Sequence, residues 1–373
     1  MMYVWQNAAW PTWRCDFERL NPVLRDLRMD LGKLQGRMEM LGLEARGRAR
    51  LEAVVAEALQ TCAIEGEALD VRSVRSSAAR RLGLEDGEFS SLDRVADGVV
   101  EMVLDAMEKA HEPLTEERIC GWHAAIFPTG YSGTSKIRVA SWRDDTNGPM
   151  QVVSGELGRE RVHYEAPPAD RIPQEMRLFL EWINAEQEGL DFLVKAGRAH
   201  LWFEVIHPFE DGNGRIGRAI VEWVVARGLR GAGLAFFSMS RQMELERTEY
   251  YRKLESASRG DLNDELWLGW FLGCLKRAIE NSDQILKAVL DKARFWSKWQ
   301  GAALNIRQAA MLNKLLDGFE GKLTSSKWSK IMKCSSDTAL RDLGDLVAKR
   351  ILARADAGGR GAHYELKEID AGV

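Results

Sequence analysis

The residue types that can carry chemistry are concentrated in one stretch, His207–Arg218, which reads His-Pro-Phe-Glu-Asp-Gly-Asn-Gly-Arg-Ile-Gly-Arg. A histidine titrates near neutral pH, so His207 can take a proton from a hydroxyl group. The carboxylate of Asp211 supplies the hard oxygen that Mg2+ prefers, with phosphates completing the metal's shell. Arg215 and Arg218 are three residues apart on the first turn of a predicted helix, so their guanidinium groups face similar sides and suit two phosphate groups.

Two glycines in the same stretch favour close approach of a ligand to the backbone. Gly212 and Gly214 permit backbone conformations closed to other residues, and N–H groups at a turn and at a helix start attract phosphate. The stretch therefore predicts an anion site. Taken singly, a histidine before a proline, an Asp-Gly-Asn-Gly turn and two helical arginines are more often structural, but their combination in one loop favours the functional interpretation.

Two helices are expected to position this loop. The first is indicated by apolar residues at helical spacing, namely Ala199, Trp202, Phe203 and Ile206. Pro208 ends this helix, and a second helix begins near Arg215 and reaches about Gly228. The polar cluster is therefore predicted to lie in a tight helix-loop-helix turn.

A further helix is indicated over Leu51–Ile64. Four of its residues follow the 4-3-4 spacing of a buried seam, namely Leu51, Val55, Ala58 and Cys62. The next seam position is Glu65, followed by Gly66, so the carboxylate lies at a helix C-terminus where the dipole disfavours an anion. A buried carboxylate there needs a cation. The spacing alone leaves it equally open that the helix is rotated and Glu65 is solvated.

The stretch His207–Arg218 matches in full the signature of the Fic (filamentation induced by cAMP) family, His-x-Phe-x-(Asp/Glu)-Gly-Asn-Gly-Arg-x-x-Arg, and the resemblance covers roughly residues 50–275. Members of this family mostly transfer AMP from ATP to a Ser, Thr or Tyr hydroxyl of a protein. The resemblance implies that His207 is the general base, that Asp211 holds Mg2+ and that Phe209 anchors the loop. It places the phosphates of ATP against Gly212, Asn213, Gly214, Arg215 and Arg218. Relatives that phosphorylate carry a lysine at the position of Gly214, which argues against kinase activity.

The segment Thr61–Gly66 resembles the inhibitory motif (Ser/Thr)-x-x-x-Glu-(Gly/Asn) of class II Fic proteins, in which an inhibitory helix precedes the catalytic core. The resemblance implies that Glu65 pairs with Arg218, blocks the γ-phosphate position and spoils the productive pose of ATP. In some relatives the same glutamate positions a water that removes AMP, so an enzyme whose main activity is AMP removal stays an alternative.

Two β-rich runs, Lys136–Val139 and Met150–Val153, flank an Asn-Gly turn and predict a hairpin at about residues 133–155. In Fic proteins such a flap lies beside the motif loop and holds the target protein by strand addition. The segment Arg247–Leu254 resembles a helix whose tyrosines border the adenosine pocket, so Tyr250 or Tyr251 is expected there. A core tyrosine is an equal alternative.

The C-terminal part of the chain resembles a winged helix-turn-helix, with short helices followed by two strands and a Gly-rich turn at residues 358–361. Between Lys327 and Arg350 there are six basic and three acidic residues, a net charge of +3. This mild excess leaves DNA binding and protein docking both open.

The expected fold class is mainly α, with a Fic-type helical core, a β-hairpin flap and a C-terminal winged helix domain. The predicted division is a Trp-rich, helical N-terminal segment (1–48), a catalytic core (49–276) that includes the inhibitory helix (about 51–66) and the flap, a linker helix (277–303), and the winged helix-turn-helix domain (304–373). Homodimerisation is left open.

Composition bounds the location and the partners. The net charge of −4 gives no global drive toward nucleic acid. The five cysteines are scattered and lack metal-ligand spacing, which favours a reducing compartment. No apolar run reaches membrane length and the N-terminus lacks a signal-peptide pattern, so cytoplasm is predicted. The resulting hypothesis is an autoinhibited, Mg2+-dependent protein adenylyltransferase; the alternative from another class is a DNA-binding regulator whose Fic core senses nucleotide.

Overall fold

A computed structural model describes residues 2–84, 93–146, 148–155, 159, 161–229, 236–316, 319, 321–355 and 363–367. The chain forms two compact units, Met1–Asp283 and Gln284–Val373. Helices dominate both units, which agrees with the predicted fold class. None of the described helices is both long enough and apolar enough to cross a membrane.

The described part of the first unit is built from helices and short strands. Its helices are α1 (Phe17–Glu39), α2 (Leu43–Ile64), α3 (Val71–Arg81), α4 (Arg94–Glu108), α5 (Glu116–Ile126), α6 (Ile172–Asn184), α7 (Phe192–Ile206), α8 (Asn213–Gly228), α9 (Met239–Leu245), α10 (Arg247–Ala257) and α11 (Glu265–Lys298), which ends in the second unit. Its strands are β1 (Tyr131–Ser132), β2 (Ser135–Lys136), β3 (Gln151–Ser154) and β4 (Arg161–Glu165).

Helices α7 and α8 form the centre of this unit and carry the motif loop between them. Both are buried around most of their circumference, which marks them as interior helices rather than surface helices with one apolar face. Gly217 lets them approach closely, because a Cβ atom there would lie 2.7 Å from Glu204 Oε1 and 3.1 Å from His200 Nδ1. The loop is therefore held at both ends by rigid, packed elements.

Helix α2 ends beside α8 in a closed C-terminal turn. Gly66 has a φ of 82°, the left-handed conformation typical of a helix stop. Its N–H donates to the Ala63 carbonyl at 2.9 Å, and the Glu67 N–H donates to the Cys62 carbonyl at 3.0 Å. This turn fixes the directions in which Glu65 and Glu67 leave the helix.

The predicted flap pairing is wrong. Lys136–Val139 does not pair with Met150–Val153; instead β3 pairs antiparallel with β4, with Gln151 opposite Glu165, and β1 pairs with β2. The physical reason is that the first run and the residues after it bond to the motif loop instead. The N–H of Arg138 donates to Glu210 Oε2, and the N–H of Arg143 donates to the Pro208 carbonyl, both at 2.9 Å. Asn147 of the proposed turn lies outside the described residues.

The predicted boundaries inside the first unit also differ from the structure. The N-terminal segment 1–48 belongs to the same compact unit as the core, and the proposed border falls inside α2. Two tryptophans attach it: Trp5 Nε1 donates to the Glu165 carbonyl at 2.9 Å, and Trp10 Nε1 donates to Glu175 Oε2 at 2.8 Å. The proposed linker helix 277–303 is the later part of α11, which begins at Glu265.

In its described residues, the second unit contains the end of α11, then short helices and then strands. They are α12 (Ile306–Leu316), α13 (Ser325–Met332), α14 (Ser336–Ala348), β5 (Leu352–Ala355) and β6 (His363–Leu366). The strands pair antiparallel, with Leu352 opposite Leu366, and Leu323 bridges to Tyr364. The proposed Gly-rich turn lies outside the described residues, so the winged helix-turn-helix assignment stays a prediction.

Candidate active site

His207 caps the C-terminus of α7 in the left-handed backbone conformation, with φ 51° and ψ 60°. Its N–H donates to the Phe203 carbonyl at 2.9 Å, and its ring Nδ1 lies 3.4 Å from the Glu204 carbonyl oxygen. Burial, followed by the charge of Arg143, lowers the pKa of His207 to about 4. The imidazole is therefore neutral at pH 7 and able to accept a proton.

Phe209 and Asn213 close the motif loop. Phe209 is fully buried, and its ring stacks on His123 with the centroids 4.1 Å apart. Asn213 Oδ1 accepts the Phe209 N–H at 2.9 Å, while its Nδ2 donates to the Phe209 carbonyl at 2.8 Å. The Asn213 side chain, which the sequence assigned to phosphate binding, is thus engaged in shaping the loop in this structure.

Asp211 presents a partly exposed carboxylate at the start of α8. The Gly212 N–H donates to its Oδ1 at 2.5 Å, the Ser132 hydroxyl donates to its Oδ2, and its side chain is 38% exposed. No group of three or more His, Cys, Asp or Glu residues in the described part of the chain could hold a metal ion. An Mg2+ ion that takes its other ligands from phosphates and water needs only one or two carboxylates, so Asp211 fits such an ion.

Within the described residues, the N-terminus of α8 has no side-chain cap, and the Glu65 carboxylate lies beside its first turn, 2.2 Å from where a Cβ atom of Gly214 would be. Gly212 precedes the helix with a φ of 83°, and a Cβ atom there would lie 2.8 Å from the Phe127 ring. The first backbone N–H groups of a helix have no intrahelical partner, so these groups can bind phosphate.

Arg218 is buried and held entirely by the end of α2. Its Nε donates to Thr61 Oγ1 at 2.8 Å, and its Nη2 donates to the Thr61 carbonyl at 2.8 Å and to Glu65 Oε1 at 2.7 Å. Arg218 is 2% exposed as a residue, whereas the Glu65 side chain is 29% exposed. The guanidinium therefore has little access to any other anion while α2 stays in place.

Arg215 is paired in the same manner with Glu67, a residue that the sequence analysis did not identify. Arg215 Nη1 lies 2.6 Å from Glu67 Oε2, and its guanidinium carbon lies 4.7 Å from the centroid of the Phe127 ring. The Arg215 side chain is 1% exposed. Both arginines of the motif are thus neutralised by carboxylates that follow one helix end.

Two further residues support the loop and were also missed. His123 accepts the Ala140 N–H at Nδ1 and donates from Nε2 to the Asp211 carbonyl, both at 3.1 Å. Arg143, which is 3% exposed, donates to the His207 carbonyl at 2.8 Å and to the Pro167 carbonyl at 2.6 Å. The position of His123 on the apolar face of α5 was a usable signal, but Arg143 lies in a segment without a periodic pattern.

The two candidate tyrosines of α10 lie in different environments. Tyr250 is 1% exposed, and its hydroxyl bonds with His200 Nε2 at 2.9 Å, which makes it a core residue here. Tyr251 is 38% exposed, and its hydroxyl donates to the Ile64 carbonyl at 3.1 Å. Of the two tyrosines, Tyr251 is therefore the one that reaches solvent, and it also touches the end of α2.

The sequence is similar to known proteins over the segment that carries the motif loop. Residues 113–225 match the sequence model of the Fic/DOC family, and residues 3–84 match a domain of unknown function, DUF4172. Protein adenylyltransferase Fic from Aedes aegypti is 25% identical over 240 residues, and that from Culex quinquefasciatus is 24% identical over 240 residues. Each alignment covers 62% of this chain and 42% of the relative, so the chain spans about two fifths of the length of these curated relatives.

Solved structures show the same fold. A Fic family protein from Desulfovibrio desulfuricans G20 aligns with a TM-score of 0.53 at 20% identity, covering 93% of this chain and 96% of that one. A Fic domain containing signaling protein from Bacteroides thetaiotaomicron aligns with a TM-score of 0.52 at 22% identity, covering 71% of this chain and 98% of that one.

The helical fold, the loop between α7 and α8 and the two arginines of α8 define a class of protein with a candidate anion site next to a candidate proton acceptor. The domain that holds this site, residues 113–225, is a Fic/DOC family domain, which confirms the family predicted from the motif.

Proposed function

We propose that this protein is an adenylyltransferase that transfers AMP from ATP to a Ser, Thr or Tyr hydroxyl of a target protein, and that its resting state is autoinhibited. The observation that supports the proposal most directly is the arrangement of the motif loop, in which neutral His207, the start of α8 and the two buried arginines converge. The named relatives from Aedes aegypti and Culex quinquefasciatus support it at the level of the family.

The reaction uses the chain's residues mainly for positioning and charge neutralisation. His207 takes the proton of the target hydroxyl, the hydroxyl oxygen forms a bond to the α-phosphorus, and the bond to the β-phosphate breaks to release pyrophosphate. The N–H groups at the start of α8 hold the phosphates, with Arg215 and Arg218 on the β- and γ-phosphates. Asp211 would hold Mg2+, which when bound neutralises the charge of the phosphates.

The resting state is inhibited because Glu65 occupies Arg218. Glu65 neutralises the Arg218 guanidinium at 2.7 Å, and Thr61 takes two further donor bonds. Because Arg218 is also 2% exposed, a γ-phosphate reaches it only by displacing the Glu65 carboxylate. The nucleotide then binds with its γ-phosphate displaced and its α-phosphate misaligned. A misplacement of about 1 Å can cost on the order of 100-fold in rate.

The hairpin β3–β4 supports the proposed binding of a target segment. Val152, Val153 and Val162 are 36%, 47% and 39% exposed, and in the described residues β3 has only β4 as a strand partner. An edge strand with exposed valines can accept an extended peptide by backbone hydrogen bonds.

The five cysteines are free thiols, which supports the proposed cytoplasmic location.

The test is incubation of the full chain with ATP labelled at the α-phosphate. The Glu65→Gly variant should label protein at least about 100-fold faster than the wild type, and the double variant Glu65→Gly/His207→Ala should label none. Label that survives the loss of His207 would contradict the role of general base. If Glu65→Gly is no faster than the wild type but fails to remove AMP from a modified target, AMP removal replaces transfer as the main activity.

A further inference from the structure

Glu204 lies one turn before His207, on the same face of α7. Its Oε2 is 4.0 Å from His207 Nδ1, and its backbone carbonyl is 3.4 Å from the same nitrogen. Because Nδ1 faces Glu204, Nε2 is the ring nitrogen left to accept a proton from a target hydroxyl. Glu204 therefore lies on the side of the imidazole opposite the proposed chemistry.

The carboxyl group of Glu204 is buried, and one of its two oxygens has no hydrogen-bond partner among the described residues. Its side chain is 8% exposed, and the oxygen without a partner there is Oε1. Gly217 makes room for it, since a Cβ atom there would lie 2.7 Å from Oε1. A buried polar group that satisfies no other contact is costly, so packing alone does not explain a glutamate here.

His207 becomes a cation when it takes a proton, and its surroundings oppose that charge. Its side chain is 14% exposed, and Arg143, whose Nε bonds to the His207 carbonyl at 2.8 Å, already places a positive charge beside it. A carboxylate 4.0 Å from Nδ1 offsets this charge, while the backbone carbonyl of the same residue accepts from Nδ1 and orients the ring.

We propose that Glu204 is a positioning residue for His207: its backbone carbonyl holds the imidazole through Nδ1, and its carboxylate stabilises the imidazolium that forms when Nε2 takes the hydroxyl proton. The proposal rests on the proposed AMP transfer and adds a second residue to its proton-transfer step. No proton passes to Glu204: the proton moves from the hydroxyl oxygen to Nε2, the oxygen–phosphorus bond forms, and pyrophosphate leaves.

The ionisation of Glu204 depends on its neighbours. Burial raises the pKa of Glu204 to about 8; the Glu65 charge raises it and the Arg218 charge lowers it. The charged and titratable groups around Glu204 are Glu65 at the end of α2, Arg218 of α8 and His207 at the end of α7. The charge of Glu204 in turn acts on Tyr164 of β4 and on Tyr250 and Tyr251 of α10. Since only the ionised carboxylate offsets a cation, the transfer rate should rise as pH increases through the neutral range.

The experiment compares Glu204→Gln with a matched change, Glu175→Gln, both in the Glu65→Gly background. Glu175, on α6, is also a buried glutamate, 3% exposed, but its carboxylate bonds to Trp10 and Arg171. We expect Glu204→Gln to lower kcat at pH 8 by at least about tenfold, to leave KM for ATP within about twofold, and to flatten the pH–rate profile between pH 6 and 9. Glu175→Gln should keep the parent profile.

A second readout does not depend on AMP transfer. The chain has six histidines, so the 15N-histidine NMR signal of His207 can be assigned by its loss in His207→Ala. At pH 9, where Glu204 is ionised, Glu204→Gln should lower the fraction of His207 that carries its proton on Nδ1, as reported by the two 15N shifts of the ring. An unchanged His207 tautomer at pH 9, or a loss of rate that is equal at every pH, would overturn the proposal even if AMP transfer is established. If no AMP is transferred by Glu65→Gly but the His207 tautomer shifts in Glu204→Gln, the pairing stands and the proposed function fails.

Discussion

At the scale of single residues, the two arginines of the motif have separate partners. Arg218 is paired with Glu65 and Arg215 with Glu67, at 2.7 Å and 2.6 Å. The Glu67 side chain is 38% exposed, whereas the Arg215 side chain is 1% exposed. A phosphate that binds Arg215 must therefore displace Glu67, and the two carboxylates form a double obstacle to the polyphosphate chain.

Replacing Glu67 should consequently improve nucleotide binding. We expect Glu67→Gln to lower the Kd of Mg2+–ATP by roughly tenfold, corresponding to about 1.4 kcal/mol, because Arg215 then keeps only the more distant Asp211 carboxylate, at 3.7 Å, and a phosphate no longer has to displace Glu67. Transfer should rise less than in Glu65→Gly, since Arg218 stays paired. Titration calorimetry measures the affinity. The control is Glu52→Gln on α2, which breaks an exposed pair with Arg75 of α3 at 2.7 Å. Equal affinities for the two variants would show that Glu67 does not compete with phosphate.

At the scale of elements, helix α2 packs on α8 across two buried carboxyl groups. Glu57 of α2 bonds to Ser238 and Ser240, while both oxygens of Glu222 on α8 have no side-chain hydrogen-bond partner in the described part of the chain. Burial, then the charge of Glu57, raises the pKa of Glu222 well above 4.5. This contact should weaken as the pH rises, because the folded protein must either hold a proton or bury a second negative charge.

The sign of this pH dependence follows from linkage. A carboxyl group whose pKa is raised by folding contributes its full stability below the unfolded pKa, and this stability is lost as pH rises above it. Glu222→Gln should therefore raise Tm at pH 8 by about 2–4 °C for each 1 kcal/mol gained and leave Tm nearly unchanged at pH 5. Thermal unfolding followed by circular dichroism at both pH values measures the effect. A Tm gain at pH 5 that equals the gain at pH 8 would show that ionisation of Glu222 is not involved.

Local patterns predicted the helices around the site but not all the contacts between them. The apolar spacing of α2, α7 and α8 located Glu65 and the motif loop, because that spacing reflects which face is buried. Glu67 and Arg215 are 148 residues apart, and His123 and Asp211 are 88 apart, so no local pattern contains these pairs. The flap pairing failed for a related reason: β-rich runs indicate strands, but the motif loop supplied the partners that one run needed.

At the scale of the whole molecule, the second unit offers an exposed basic surface that a Fic domain alone does not require. Lys330, Lys333, Arg341 and Arg350 are exposed on and around α13 and α14. The net charge of +3 over residues 327–350 suits either nucleic acid or an acidic protein surface.

Salt dependence distinguishes these two partners. If the second unit binds DNA, the full chain should shift genomic fragments in electrophoresis, with an affinity that falls steeply with salt. Arg341→Ala should reduce the slope of log K against log salt by about 1, the value for one phosphate contact. Arg48→Ala, an exposed arginine of α2, should leave the slope unchanged. The absence of any shift at low salt would leave protein docking as the role of this surface.

Gly214 affects both the candidate phosphate site and the position of the Glu65 carboxylate. Any side chain there would begin 2.2 Å from Glu65 Oε1, so every replacement displaces the carboxylate that holds Arg218. On the proposed mechanism, any replacement of Gly214 that alters the phosphate site also displaces Glu65 from Arg218 and so removes the inhibition.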